Sequence, residues 1–105
     1  MLLAARDIEP AGELVDLFVA LATRDGARTA FELALEARRA GLQAQLELTG
    51  RSLKGQLRHA DRIGARYVAI VGDNGTATLK NMESGDERDT QIGSVIPEIL
   101  RAGRM

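Results

Sequence analysis

The segment LELTGRSLKGQLRHADRIGARYVAIVG, Leu46 to Gly72, reads as strand, tight loop, helix, strand. Its helix carries Lys54, Arg58, Arg62 and Arg66, each four residues from the last, so they share one face. Arg51 lies just ahead on the same side. Leu53, Leu57, Ala60 and Gly64 take the opposite face, which suits packing on a sheet. Like charges spaced this way cost an isolated helix roughly 0.2–0.5 kcal/mol per pair. The stripe therefore does not serve helix stability. It is either a solvated face or a surface for a polyanion.

Working outward, another strand and helix come upstream, without an internal repeat. Val15 to Ala22, VDLFVALA, is almost wholly apolar, as a central parallel strand is. A polar loop, Thr23 to Gly26, offers Thr23 and Asp25 as capping residues. A helix then runs to about Ala40. Ala27, Ala30, Ala34 and Ala37 give it a small-residue face, widened by Phe31 and Leu33, while Arg28, Glu32, Glu36 and Arg39 meet water. Gly41 stands where a helix ends. Leu42 to Leu48 forms the second strand, with Leu42, Ala44, Leu46 and Leu48 on one face and Gln43, Gln45 and Glu47 on the other.

Downstream, Tyr67 to Val71 is an apolar strand. Gly72–Asp73–Asn74–Gly75 signals a hairpin into a strand at about Thr76 to Met82. Ser84–Gly85–Asp86 marks a further turn and a short fifth strand. A last helix is expected from near Ser94 to near Ala102, with Pro97 in its first turn. The order β-α-β-α-β followed by a hairpin and a helix predicts an α/β fold. Its sheet is mixed and mostly parallel, with right-handed crossovers. Ligands of such sheets gather beyond the C-terminal strand ends. Those ends are Thr23–Gly26, Thr49–Ser52 and Gly72–Asn74, and the middle one feeds the basic helix.

The chain has 105 residues, enough for one core, and its net charge is only −1. A globally basic binder is excluded. Between Arg51 and Arg66, however, five Lys/Arg face one acid, Asp61, a local balance of +4. Cysteine is absent, which excludes disulfides and thiolate metal sites and fits a cytoplasmic setting. No apolar run approaches a membrane span, and MLLAARDIEP does not read as a signal peptide.

Catalytic groups are sparse. His59 is the only histidine, so neither a Ser-His-Asp triad nor a multi-histidine metal site can be assembled. Gly72–Gly75 lacks the Lys-Ser/Thr and the following helix of a phosphate loop. Glu83, Asp86, Glu87 and Asp89 form an acidic patch that reads as a solvated turn. Thr49–Gly50–Arg51–Ser52 is more informative. Gly50 permits a left-handed turn, Thr49 or Ser52 is placed to cap the helix, and a helix N-terminus beside Arg51 and Lys54 suits an anion. Lys80 and Asn81 on the fourth strand add a cation and an amide. Phe18, Phe31 and Tyr67, the available stacking residues, occupy positions that read as core.

Thr49–Gly50–Arg51–Ser52–Leu53–Lys54, Ala60–Asp61, Gly64–Ala65–Arg66–Tyr67 and Leu79–Lys80–Asn81–Met82 together resemble the C-terminal anticodon-binding domain of bacterial histidyl-tRNA synthetases. That module is shared by class IIa aminoacyl-tRNA synthetases. The resemblance spans about Val15 to Leu100. It implies a three-layer fold, a five-stranded sheet flanked by three helices. It also implies a chain that is not itself catalytic: a fragment holding the tRNA(His) anticodon stem-loop. A separate catalytic domain of the parent synthetase, a homodimer, would use ATP to charge the tRNA. Neither DNA nor a membrane is implied, and no cofactor in this domain.

Residues 1–12 would be the tail of the preceding catalytic domain or a linker, and 13–105 the anticodon-binding domain. Transferred by position, the RNA contacts are Glu47, Thr49, Gly50, Arg51, Ser52 and Lys54, with Lys80 and Asn81. Arg51, Lys54 and Arg58 would meet phosphates. Glu47, Thr49, Lys80 or Asn81 would meet bases. The sequence departs from the family in a short Gly72–Gly75 loop and in the Val19–Ala22 end of the first strand. A protein-interaction or regulatory paralogue of a synthetase domain is the alternative expectation. A small nucleotide-using enzyme is a weaker one.

Overall fold

The computed structural model describes residues 15–48, 50–72 and 75–103. The expected boundary at residues 12 and 13, with the tail 1–12, lies outside these residues, as do Thr49, Asp73 and Asn74. The elements in order are β1 (Leu17–Leu21), a 3-10 turn (Arg24–Gly26), α1 (Ala27–Arg39), β2 (Ala44–Leu46), α2 (Leu53–Arg62), β3 (Tyr67–Val71), β4 (Thr76–Asn81), β5 (Glu87–Gln91) and α3 (Ile92–Gly103). The sheet order is β2-β1-β3-β4-β5. β1 pairs in parallel with β2 and β3, while β4 and β5 add antiparallel. This is the expected mixed α/β sheet with three helices.

β1 is apolar throughout because both its faces are covered. Leu17 and Val19 enter one core layer with Ala30, Leu33, Ala34 and Ala37 of α1 and Val95 and Ile99 of α3. Phe18 and Ala20 enter the other, with Val68 of β3 and Ala60 of α2. Alternate residues of one strand thus serve two layers, as the period of two requires. α1 and α3 cover one face of the sheet, and α2 the other.

Four expectations are corrected. First, β2 is shorter than Leu42–Leu48, and its alternation reverses at the end. Glu47 is buried and Leu48 is 83% exposed, because the chain leaves the sheet after Leu46. Second, Phe31 is 52% exposed, since α1 seats its alanines on the sheet and Phe31 points about a quarter-turn away. Third, α2 stops at Arg62. Gly64, at φ +76°, turns the chain out of the helix, so Arg66 leaves the stripe and approaches Asp16 at 3.9 Å. Fourth, α3 begins at Ile92, directly after β5, so Pro97 sits in its interior. The N–H that Pro97 lacks would have met the Gly93 carbonyl. Both residues are exposed, so solvent serves that carbonyl.

Candidate functional site

The C-terminal ends of β1, β2 and β3 form one edge, and the N-termini of α1, α2 and α3 open onto it. Glu47, Leu48 and Gly50–Ser52 lie there, between β2 and α2. Glu47, the first residue past β2, keeps one bond to β1, its N–H donating to the Val19 carbonyl at 3.0 Å. Its side chain turns inward and is fully enclosed. A desolvated carboxylate must be paired. Here Arg51 supplies three donors: its backbone N–H at 3.2 Å, Nε at 3.5 Å and Nη2 at 3.3 Å.

Ser52 is the N-cap of α2. Its backbone is extended, and its Oγ accepts from the Gly55 N–H at 3.2 Å. Gly50 has φ +75°, and nothing lies within 4 Å of where a Cβ would stand. Its glycine is required by conformation, not by crowding. Leu48 projects into solvent beside it.

Gln56 is the residue the sequence reading passed over. It is 3% exposed, whereas Leu53, assigned to the inner face, is 36% exposed. α2 is rotated so that Gln56, Ala60 and Ile63 face the sheet. The available signal is spacing: Gln56 stands one helical turn before the buried Ala60. Its carboxamide accepts from the Leu21 N–H at 2.7 Å. It donates to the Leu21 carbonyl at 3.1 Å and to the Arg51 carbonyl at 2.9 Å.

The outer face of α2 carries Lys54, Arg58 and Arg62, all exposed and without an ion pair among the described residues. The cationic stripe is therefore three residues long on the helix. Arg51 and Arg66 are committed to Glu47 and Asp16.

The structure brings Gly50, Arg51, Ser52 and Lys54 together at the edge, with Arg58 one turn further along α2. Thr49 lies outside the described residues. Glu47 sits beneath this group and reaches its surface only through Arg51. Lys80 and Asn81 are not part of it. By register they pair with Val68 and Tyr67, at the start of β3 and away from the edge. Four residues of strand separate the two ends, about 13 Å. The Asn81 Oδ1 is also occupied, accepting from the N–H groups of Glu83 and Ser84 at 2.9 and 3.1 Å. Lys80 shares the α2 side of the sheet with Val68 and is half-buried.

His59 packs edge-on against Phe18, with ring centroids 5.5 Å apart. Its buried Nδ1 has no hydrogen-bond partner. Among the described residues no group of three or more His, Asp or Glu is placed to hold a metal ion, and no helix is long and apolar enough to cross a membrane. What the edge offers among the described residues is a hydrogen-bonded Arg51 backbone, a capped helix N-terminus and a row of cations without ion pairs.

The sequence profile of the anticodon binding domain family matches residues 16–102. The histidine–tRNA ligase of Rubrobacter xylanophilus is 44% identical over 97 residues, covering 89% of this chain and 23% of that protein. The histidine–tRNA ligase of Halothermothrix orenii is 33% identical over 96 residues, covering 88% and 23%. The chain thus spans about 23% of the length of the curated relatives it matches. Among solved structures, apo histidyl-tRNA synthetase of S. aureus superposes with a TM-score of 0.75 at 28% identity, covering 84% of this chain and 24% of that one. The RNA binding domain of Cryptosporidium parvum threonyl-tRNA synthetase gives 0.74 at 13% identity, covering 83% and 23%, a likeness of fold.

Proposed function

The chain belongs to the anticodon binding domain family, and on that footing we propose that it recognises the anticodon stem-loop of tRNA(His) on behalf of a histidine–tRNA ligase. It works by positioning, not by chemistry. The observation that carries this is the edge itself, where Gly50–Ser52, hydrogen-bonded through Arg51 and Ser52, leads into the unpaired row Lys54, Arg58 and Arg62. Cations spaced along one helix face suit successive phosphates, and loop backbone groups suit an unstacked base. Arg51, held by Glu47, presents its remaining donors at the same place, and Thr49 completes the loop by position. Lys80 and Asn81 would meet a different part of the RNA from the loop.

In this reading the catalytic domain of a parent synthetase, a homodimer in the cytoplasm, binds ATP and histidine. This domain uses no cofactor. Binding of the histidine anticodon hairpin should weaken with salt at a log–log slope of about −2 to −3, as expected for three neutralised phosphates. An unrelated hairpin should bind more weakly. A flat salt response, or equal affinity for both hairpins, removes the proposal.

A second reading, a protein-interaction module, draws on two exposed apolar side chains, Phe31 and Leu48. Light scattering separates the two readings, since the RNA-binding one requires no self-association.

A further inference from the structure

Leu21 ends β1, and on one side its strand neighbour is gone. Along β1 the odd-numbered residues turn their backbone groups toward β2. The Leu17 N–H donates to the Gln43 carbonyl at 3.2 Å, and the Val19 carbonyl accepts from the Glu47 N–H at 3.0 Å. Leu21 has the same parity, but the last β1–β2 pair is Val19 with Leu46. Its N–H and carbonyl would be stranded where β2 departs, a costly state for buried backbone.

Gln56 takes the missing strand's place. A carboxamide has the donor and acceptor of a peptide group. Gln56 uses both on Leu21, at 2.7 and 3.1 Å, as a strand residue would. Its second Nε2 proton goes to the Arg51 carbonyl at 2.9 Å. Both amide protons and the amide oxygen are thus engaged. The N–H of the same Arg51 goes to the buried Glu47 carboxylate at 3.2 Å. Two buried polar side chains, one from each flank of the loop, therefore hold one loop residue by both of its backbone groups.

We infer that Glu47 and Gln56 are positioning residues, which hold the Gly50–Ser52 loop in its RNA-binding shape before the RNA arrives. The inference rests on the function proposed above and adds a division of labour to it. Exposed groups touch the ligand, and the buried pair sets where they stand. A loop ordered in advance is not ordered at the expense of binding. When the clamp opens, only a fraction of molecules present the competent loop, and the apparent affinity falls by that fraction. The arrangement also couples the loop to the end of β1, and so to the neighbouring Ala22–Gly26 turn on the same edge.

Gln56→Met keeps the length and bulk of the side chain while removing all three hydrogen bonds. Gln56→Asn, one methylene shorter, retains the amide but cannot span Leu21 and Arg51 together. It carries the comparison if the methionine variant fails to fold. Ile99→Val, in the other core layer, serves as the control for general loss of stability. Binding of the histidine anticodon hairpin to the full 105-residue chain is measured where circular dichroism shows each variant folded. Hydrogen exchange of the Arg51 and Ser52 amides is measured without RNA.

Gln56→Met should lose affinity by about tenfold and lose protection at Arg51, while Ile99→Val keeps both. Unchanged affinity in Gln56→Met, or an equal loss in Ile99→Val, overturns the inference. If the unsubstituted chain binds no hairpin, the functional proposal fails by itself. Exchange then decides the clamp: lost protection at Arg51 upholds a loop-ordering role, and retained protection overturns it.

Discussion

At the C-terminal edge of the parallel strands, Gln56 reaches Leu21, 35 residues away in sequence; at the opposite end of the sheet, Asn81 reaches only Glu83 and Ser84. Both side chains satisfy backbone groups where a strand gives way to a loop. The far turn does so locally and in water. The Asn81 carboxamide closes an Asx-type turn, and the Asn81 N–H donates to the Asp86 carbonyl at 2.8 Å. The near loop does so through buried groups recruited from two elements. Water can replace an exposed local bond, but it cannot reach an enclosed carboxylate or amide without opening the structure. The near loop is therefore fixed by the fold as a whole, and the far turn by its own few residues. A surface that must keep its shape until a ligand arrives belongs on the first kind of loop.

The largest effect that tests this contrast is expected from Glu47→Ala. The substitution leaves the Arg51 N–H without its acceptor and the guanidinium without its partner. Breaking a fully buried pair costs about 3–5 kcal/mol. The Arg51 side chain is 34% exposed and can turn to water, so the expected loss is about 2–3 kcal/mol, read from urea unfolding midpoints at constant slope. A loss as small as that of a surface substitution would mean that the enclosed carboxylate contributes nothing to the edge.

Asn81→Ala should do much less. The two N–H groups it releases lie in an exposed turn, so the cost is about 1 kcal/mol or less. Hairpin affinity should stay as it was, because the β4–β5 turn is at the other end of the sheet from the loop. A clear fall in affinity without a matching fall in stability would sharpen the picture differently. It would place Asn81 in contact with RNA, and the RNA would then have to reach the α3 side of the sheet, the face opposite Lys80 and α2.

The same contrast separates what could be read from the sequence from what could not. The five strands, the two crossovers and the β4–β5 turn follow from local signals. Those signals are apolar runs covered on both faces, alternation in β4, and Gly-containing turns. Ser52 as cap and Gly50 at positive φ were legible for the same reason, because cap and turn chemistry act within three residues.

Glu47 and Gln56 were not legible in this way. Alternation from Leu42 places Glu47 on a polar face, and only the departure of β2 after Leu46 turns it inward. Gln56 reads as one more polar helix residue until Leu21, which lacks a neighbour on the β2 side, is seen beside it. The stripe was overread for a similar reason. The spacing of Arg66 continues that of Lys54, Arg58 and Arg62, but Gly64 ends the continuity. Phe31 shows the reverse case, an apolar residue assigned to the core that the close seating of Ala30 and Ala34 leaves outside.

The smallest expected effect comes from a second carboxylate–arginine pair, and it tests whether burial is what separates the two regions. Glu98 on α3 bonds to Arg88 on β5, and also accepts from the Thr90 hydroxyl at 3.2 Å. Arg88 is largely exposed, unlike either member of the clamp. The hydrogen bond from Arg88 is the main cause holding the Glu98 carboxyl below its ordinary value of 4.5; the Thr90 bond and the charge of Arg101 assist, against a partial desolvation. A carboxyl lowered in the folded state binds its proton more readily when unfolded. Its contribution is therefore complete above about pH 4.5 and is lost as pH falls through the lowered folded value. Glu98→Gln should leave the neutral-pH stability lower by less than about 1 kcal/mol and reduce the acid dependence as the pH falls below about 4.5. Salt should weaken the difference, since the pair is open to solvent. Unfolding curves of the two chains across that range provide the measurement. If Glu98→Gln instead cost as much as Glu47→Ala, exposure would not be what makes one pair peripheral and the other structural, and the contrast between the two ends of the sheet would need another cause.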